Sequence, residues 1–132
     1  MRIVGAAAAY FALVFAAGFA LGVARGLWIV PALGAVAAVL IEAPVILGVS
    51  WFAWRAVNRR AALPAHLGTR AAVGALAVTM LMFAEAGLSM SLFHRSLSDY
   101  AAAMATVAGL IGLAAQGLFA VVPAVEGMAG WR

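Results

Sequence analysis

Two glutamates stand inside long apolar stretches of the chain and are the residues best placed to do chemistry. Glu42 and Glu85 each lie about eight or nine residues from one end of their stretch. At 1.5 Å of helical rise per residue, both would sit roughly 12–14 Å below the same membrane surface. An ionised acid there costs on the order of 2.5–3.5 kcal/mol, so each carboxyl must face protein or water. Two carboxyls at matched depth can share a proton and titrate as a coupled system.

One interpretation of this pair is a proton or cation site. Pro44 follows Glu42 by two residues and removes an amide donor from the helix, which kinks it and frees the carbonyl of Leu40. Gln116 belongs to the last apolar stretch and is expected to lie deeper than the glutamates, lining an inward path without touching them. The predicted ion or proton site therefore consists of Glu42, Glu85 and Gln116.

The alternative interpretation is structural. Arg25 ends the first apolar stretch, and its long side chain can reach Glu42 from the membrane surface. Glu85 can find a similar partner in Arg95, in Ser89 or in a backbone carbonyl. Buried acids in small helical bundles often serve only to set how the helices pair. The sequence favours this structural interpretation over the ion site.

No other constellation of reactive residues emerges from the sequence. The chain contains no cysteine, which excludes disulfides and thiolate metal sites. His66 and His94 are predicted on opposite sides of the membrane, so they cannot share a metal or a haem iron. Motifs of serine hydrolases, zinc proteases and phosphate-binding loops are absent. We therefore expect no metal, no cofactor and no enzymatic activity, with an acid–base enzyme acting on lipid left open.

The composition indicates that lipid is the solvent of this chain. Hydrophobic residues make up 68% and charged residues 9%, against about 45–50% and about 25% in soluble domains. Four apolar stretches, at about 3–24, 33–54, 71–93 and 101–122, each approach the ~20 residues that cross a ~30 Å hydrocarbon core. Helices satisfy the backbone in lipid, and the alternation of a β-barrel is missing. The predicted fold is a single all-α domain, a bundle of four transmembrane helices.

The placement of arginines predicts the orientation of the bundle. The net charge of +4 comes from eight arginines and four acids. If the amino terminus is cytoplasmic, six arginines fall inside and two outside, as the positive-inside rule requires. The inner set is Arg2, Arg55, Arg59, Arg60, Arg70 and Arg132, and the outer set is Arg25 and Arg95. Both termini are therefore predicted to be cytoplasmic, and the basic charge indicates topology and attraction to anionic lipid rather than a nucleic-acid partner.

Small residues suggest how the helices pack. Gly18, Gly22 and Gly26 recur at steps of four and form a stripe on one face of the first helix. Such stripes let membrane helices approach closely. This one suits packing within the bundle and a homodimer equally well. Ser96 and Asp99 match the capping-box pattern and predict a helix start at this point.

Four short motifs are spread over most of the chain. They are Arg25-x-x-Trp28-x-x-Pro31-x-x-Gly34, Leu40-Ile41-Glu42-x-Pro44, Ala84-Glu85 and Ser96-Leu97-x-x-Tyr100. With these motifs the chain resembles a group of small four-helix inner-membrane proteins of proteobacteria to which no activity is assigned. The resemblance implies a bacterial inner-membrane location. Small multidrug transporters have a similar size, but their key glutamate lies in the first helix, where this chain has no acid.

These observations predict a small, non-enzymatic integral protein of the inner membrane, an accessory or structural component. Its expected partners are membrane lipid and either a second copy of the chain or another membrane protein. The alternative function is a proton- or cation-coupled transporter or channel that uses Glu42 and Glu85. Four helices enclose little pathway alone, so that alternative implies a homodimer.

Overall fold

A computed structural model describes residues 2–64, 66–91, 94 and 96–128. Every regular element in these ranges is a helix. The α-helices are α1 (Arg2–Ala24), α2 (Val30–Leu33), α3 (Ala35–Ala61), α4 (Leu67–Ser91), α5 (Leu97–Met104) and α6 (Val107–Met128). Four helical segments, those containing α1, α3, α4 and α6, are long and apolar enough to cross a membrane. The chain is thus an all-α, multi-pass membrane protein, and the predicted fold class is confirmed.

The four long helices form a square bundle. α1 packs against α3 and α4, and α6 packs against the same two helices. In the described part of the chain no backbone contact joins α3 to α4, so these consecutive helices lie across a diagonal. We call the two ends of the bundle the Arg2 end and the Trp28 end. α1 begins and α6 ends at the Arg2 end; which membrane face this end occupies stays a prediction.

The predicted connection after the first helix is itself helical. Residues Arg25–Ile29 form a π-helical turn, in which the amide of Val30 donates to the carbonyl of Arg25. Pro31 follows two residues after this turn, lacks an amide hydrogen and crowds the carbonyl one turn earlier. The wider π turn accommodates this defect without ending the helix. The first span therefore runs to Leu33, and Gly34 ends it with a φ of 89°, which favours glycine.

The fourth predicted helix is two helices instead of one. The capping box is confirmed at the start of α5, where the Ser96 hydroxyl accepts from the Asp99 amide at 3.1 Å. α6 begins after Thr106, whose hydroxyl accepts from the amide of Gly109 at 3.1 Å. A methyl group at Gly109 would overlap the carbonyl oxygen of Ala103, so this tight turn requires glycine. The break moves the last membrane span toward the end of the chain.

Pro123 directly follows the predicted span of 101–122, where a proline is expected to end a helix, but it does not end α6. α6 passes through this proline and continues to Met128. The missing amide of Pro123 leaves the carbonyl of Phe119 without its usual helical donor. The Tyr10 hydroxyl of α1 donates to that carbonyl at 2.6 Å, as neighbouring helices commonly do around prolines in membranes. The continuing helix brings Glu126 into the bundle.

The glycine stripe of the first helix does not form a close helix crossing. A methyl group at Gly18 would meet Ile46 of α3 at 3.6 Å, which is ordinary contact. One at Gly22 would lie 3.7 Å from the guanidinium of Arg25, and one at Gly26 would meet no atom within 4 Å. Gly18 and Gly22 thus leave room for the side chains of neighbouring residues, whereas Gly26 lies exposed on the surface.

Candidate functional site

A group of polar side chains lies within the bundle toward the Trp28 end. We call it the Glu85 cluster, and its members are Arg25, Glu42, Glu85, Tyr100 and Gln116. The Nε of Arg25 lies 3.0 Å from Oε2 of Glu42. This is the pair that the structural interpretation of the sequence predicts. The π turn carries the arginine, and the absence of a side chain at Gly22 leaves space for its guanidinium.

Glu85 is held by two uncharged donors. The side-chain amide of Gln116 donates to its Oε2 at 2.6 Å, and the Tyr100 hydroxyl donates to the same oxygen at 3.4 Å. The expectation that Gln116 lies too deep to touch the glutamates is therefore wrong. The last membrane span begins at Val107 rather than near residue 101, so Gln116 reaches the level of Glu85.

Ser89, another partner predicted for Glu85, makes no hydrogen bond to it in the described structure. Ser89 is buried, and its hydroxyl has no hydrogen-bond partner among the described residues. Arg95 lies outside the described residues. Within the described ranges Glu85 makes no ion pair, although it lies within electrostatic range of Arg25 and Glu42. Its negative charge therefore has no cation of its own in this part of the chain.

Tyr100 links the cluster to the short helix α5, outside the four membrane spans. Burial raises the pKa of Tyr100 above its ordinary value, and the negative charge of Glu85 raises it further. The phenol accordingly stays protonated, and able to donate to Glu85, throughout the neutral pH range. The capping box at Ser96 fixes the start of α5 and so helps to position this donor.

One oxygen atom in the Glu85 cluster has spare capacity to accept hydrogen bonds. Gln116 Oε1 is buried and has no hydrogen-bond partner among the described residues. Glu42 Oε2 is also buried, but it faces the Arg25 guanidinium in the ion pair. Buried acceptors without partners are unusual in proteins and call for a specific explanation. A carboxylate can take up a proton, and carboxylate and amide oxygens can both ligate a hard cation. The cluster therefore has the chemistry of an ion or proton site.

A second cluster, which we call the Arg70 cluster, lies near the Arg2 end. Arg70 Nη1 contacts Glu126 Oε1 at 3.1 Å and donates to the Pro123 carbonyl at 3.3 Å. The indole of Trp54 donates to the same glutamate oxygen at 3.1 Å. Arg70 is 5% exposed and Glu126 is 1% exposed. The ion pair is thus almost wholly removed from solvent and joins α3, α4 and α6.

Aromatic rings enclose the Arg70 cluster. The Arg70 guanidinium lies 5.8 Å from the centre of the Trp54 ring, a cation–π distance. Tyr10 of α1 meets the Trp54 ring edge-on at 5.7 Å and stacks on Phe119 at 4.5 Å. Arg70 Nε is buried and has no hydrogen-bond partner among the described residues. In the described part of the chain, however, one cation faces one anion, so the charges of the cluster balance. A buried pair with balanced charge indicates a structural role.

Two features of the sequence conceal the Arg70 cluster. Arg70 precedes the predicted span of 71–93 and belongs to the inner arginine set, whereas α4 begins at Leu67 and buries it. Glu126 follows both the predicted span of 101–122 and Pro123, so the sequence places it beyond the last helix. A signal existed, since Phe119, Val122 and Glu126 recur at steps of three and four and therefore share one helical face.

The described residues contain no group of three or more histidines, acids or cysteines placed to hold a metal ion. The chemistry of the bundle interior thus depends on the carboxyl, guanidinium, amide and phenol groups of the two clusters. The chain was also compared with models of protein families, with curated proteins and with solved structures. None of the three comparisons found a match.

Proposed function

We propose that this protein is a small, non-enzymatic membrane protein that binds a proton at the Glu85 cluster and couples this binding to transport. The observation that carries the proposal is the charge balance of the cluster. The guanidinium of Arg25 compensates Glu42, whereas Glu85 is held by uncharged donors. A second ionised carboxylate without a cation is costly inside a membrane. A proton or a small cation restores the balance.

The arrangement offers a simple way to couple proton binding to a change of contacts. Arg25 pairs with Glu42, and Glu85 lies within electrostatic range of both residues. The two carboxyls then compete for one guanidinium and one proton, as coupled groups do. When Glu85 loses its proton, Arg25 turns toward it, and the proton moves to Glu42. The π turn that carries Arg25 is the element that would adjust, since such turns recur at functional sites.

We further propose that the protein forms a homodimer and that it resides in a bacterial inner membrane. Four helices enclose little pathway by themselves, so transport requires a homodimer with a pathway lined by both copies. The similarity of the chain to small four-helix proteins of proteobacteria supports a bacterial inner membrane, and the arginine distribution supports cytoplasmic termini. Four helices that are long and apolar enough to cross a membrane support the coarser placement, a multi-pass membrane protein.

Replacing Glu85 by glutamine should abolish proton uptake by the cluster while the protein stays folded. The amide keeps the size of the side chain and removes the group that takes up the proton. Infrared spectroscopy of the lipid-embedded protein should show a protonated carboxyl at neutral pH that the Glu85→Gln variant lacks. In proteoliposomes, pH-dependent ion flux should fall to the level of protein-free liposomes.

Two control variants show whether the effect is specific to Glu85. Thr79→Val changes an exposed polar residue of the same helix, whose hydroxyl bonds only within that helix, and should behave like the unaltered protein. Arg95→Gln should also keep the protonated carboxyl, since the proposal assigns the compensating charge to Arg25. The proposal is wrong if both glutamates are ionised at neutral pH, or if Glu85→Gln transports as well as the unaltered protein.

A second candidate function is that of an accessory component that docks on another membrane protein. The observation in its favour is Gly26, which is exposed and has no atom within 4 Å of the position of a methyl group. The missing side chain at this position leaves surface where a further helix can approach closely. In this case Arg25 and Glu42 serve only to fix the helices of the bundle.

Replacing Gly26 by leucine should separate this candidate from the transporter. The new side chain fills open space, so the fold of the single chain is expected to persist. A docking surface at this position would be blocked, and a complex formed in mild detergent should dissociate on size-exclusion chromatography. Gly5→Leu is the matched control, because Gly5 of the same helix also has open space and lies outside the stripe. Unchanged assembly of both variants counts against docking at this face.

A further inference from the structure

An apolar groove runs along the outer surface of the bundle between α1 and α3, away from both polar clusters. Its volume is about 590 Å³. The residues that line it are Leu13, Gly48, Val49, Phe52, Ala53 and Ala56. A methyl group at Gly48 would meet no atom within 4 Å, and Phe52 is 71% exposed. The groove is therefore open toward the lipid along its length.

Two exposed arginines continue the groove toward the Arg2 end. Arg59 and Arg60 follow Ala56 by three and four residues, which places them on the same side of α3 as the groove. Among the described residues, no exposed acidic side chain lies at this end of the bundle. Of the four acidic side chains in the sequence, the one near this end is Glu126, which is buried and paired with Arg70. The exposed side-chain charge beside the end of the groove is therefore positive.

The distance from the far end of the groove to the arginines matches one leaflet of a bilayer. Between Gly48 and Arg59, α3 rises by about 16 Å, which is close to half of the ~30 Å hydrocarbon core. At the same end, the Arg2 guanidinium donates to the carbonyls of Ala61 and Ala62 and joins α1 to the last turn of α3. This contact holds the two exposed arginines at a constant height above the groove.

We propose that this groove is a specific site for one anionic phospholipid. One acyl chain lies along the apolar lining, and the phosphate group contacts Arg59 and Arg60. Apolar contact alone would accept any lipid, and basic residues alone would attract any anionic surface. The combination of an apolar groove and two arginines at its end selects a molecule that carries both features. The site is independent of the Glu85 cluster and of its proposed role in transport.

Native mass spectrometry of the purified protein in mild detergent tests this site. The probes are phosphatidylglycerol and phosphatidylcholine with identical acyl chains. One phosphatidylglycerol molecule should be retained in preference to phosphatidylcholine. The double variant Arg59→Gln/Arg60→Gln should reduce that preference about 10- to 30-fold. Gly48→Phe places a ring in the groove and should reduce the retention of phosphatidylglycerol to a similar extent, although both arginines are present.

The controls distinguish a specific lipid-binding site from non-specific electrostatic attraction of anionic lipids to the protein surface. Ala114→Phe adds a ring at an exposed position of α6 and should retain lipid like the unaltered protein. Circular dichroism should show the same helix content in every variant. Equal retention of the two lipids overturns the proposal, and so does full retention in Gly48→Phe, which would indicate surface charge alone. Displacement of phosphatidylglycerol by inorganic phosphate would assign the arginines to free phosphate and would likewise overturn it.

Discussion

Replacing Glu126 by alanine should lower the free energy of unfolding by about 3–5 kcal/mol, the usual cost of breaking a buried ion pair from one side. The variant leaves the guanidinium of Arg70 in an almost solvent-free position without its anion. It also removes the acceptor of the Trp54 indole. Both losses fall at the point where α3, α4 and α6 meet, so the expected effect is on the whole bundle.

Equilibrium unfolding in mixed micelles, followed by tryptophan fluorescence, measures this effect. Arg59→Ala removes an exposed arginine at the same end and should change stability little. The double variant Arg70→Met/Glu126→Leu should recover most of the loss, because apolar residues of similar volume often replace buried ion pairs without penalty. If Glu126→Ala unfolds at the same denaturant concentration as Arg59→Ala, the Arg70 cluster does not stabilise the bundle as we infer.

Replacing Gly74 by alanine should be the second most damaging of these changes, although it adds a single methyl group. That methyl group would overlap the carbonyl oxygen of Ala120 and lie 2.8 Å from the carbonyl carbon. The obstacle is helix backbone, which cannot move aside as a flexible side chain can. Overpacking of this kind costs about 1–3 kcal/mol. The α4–α6 crossing, where small residues allow close approach, would have to separate.

Gly87→Ala is the matched control for this prediction. Gly87 lies on the same helix, but a methyl group there meets no atom within 4 Å. The two variants therefore change helix composition equally and differ only in what the added methyl group contacts. Thermal unfolding in detergent should show a lower midpoint for Gly74→Ala and little change for Gly87→Ala. Equal midpoints would mean that α4 and α6 do not cross as closely as described.

The two polar clusters contain similar groups but differ in charge balance. In the Arg70 cluster one cation meets one anion, and aromatic rings surround the pair. In the Glu85 cluster one described cation serves two carboxyls, and the amide oxygen of Gln116 has no hydrogen-bond partner among the described residues. We therefore expect opposite behaviour on mutation. Neutralising Glu126 should reduce stability, whereas neutralising Glu85 should reduce proton uptake and leave the fold intact.

Local features of the chain were predictable because their causes are local. Composition and the lengths of the apolar stretches identify a bundle of membrane helices, since lipid leaves few other ways to satisfy the backbone. The capping box at Ser96 follows from two residues that contact each other within one turn. The proximity of Arg25 and Glu42 also followed from local information, because a short connection places both near the same membrane surface.

Contacts between distant segments were decided by the tertiary structure. The break before α6 sets the height of Gln116 and so gives Glu85 its amide partner. Nothing near Glu85 in the sequence indicates that partner. Pro123 illustrates the same limit, because its local tendency to end a helix is overcome by Tyr10, more than a hundred residues earlier in the chain. A proline continues a helix only where another helix supplies the missing donor.

The sequence by itself thus determined that the chain lies in lipid, that its fold is all-helical, and that Glu42 and Glu85 must face the interior of the bundle. What only the tertiary structure decided is which partner each polar group finds. The diagonal placement of α3 and α4, the closeness of α4 and α6 at Gly74, and the pairing of Arg70 with Glu126 belong to this second class. The physical reason is that hydrophobicity and local hydrogen bonding act along the chain. Charge pairing and close packing depend on the positions of the other helices in the folded bundle.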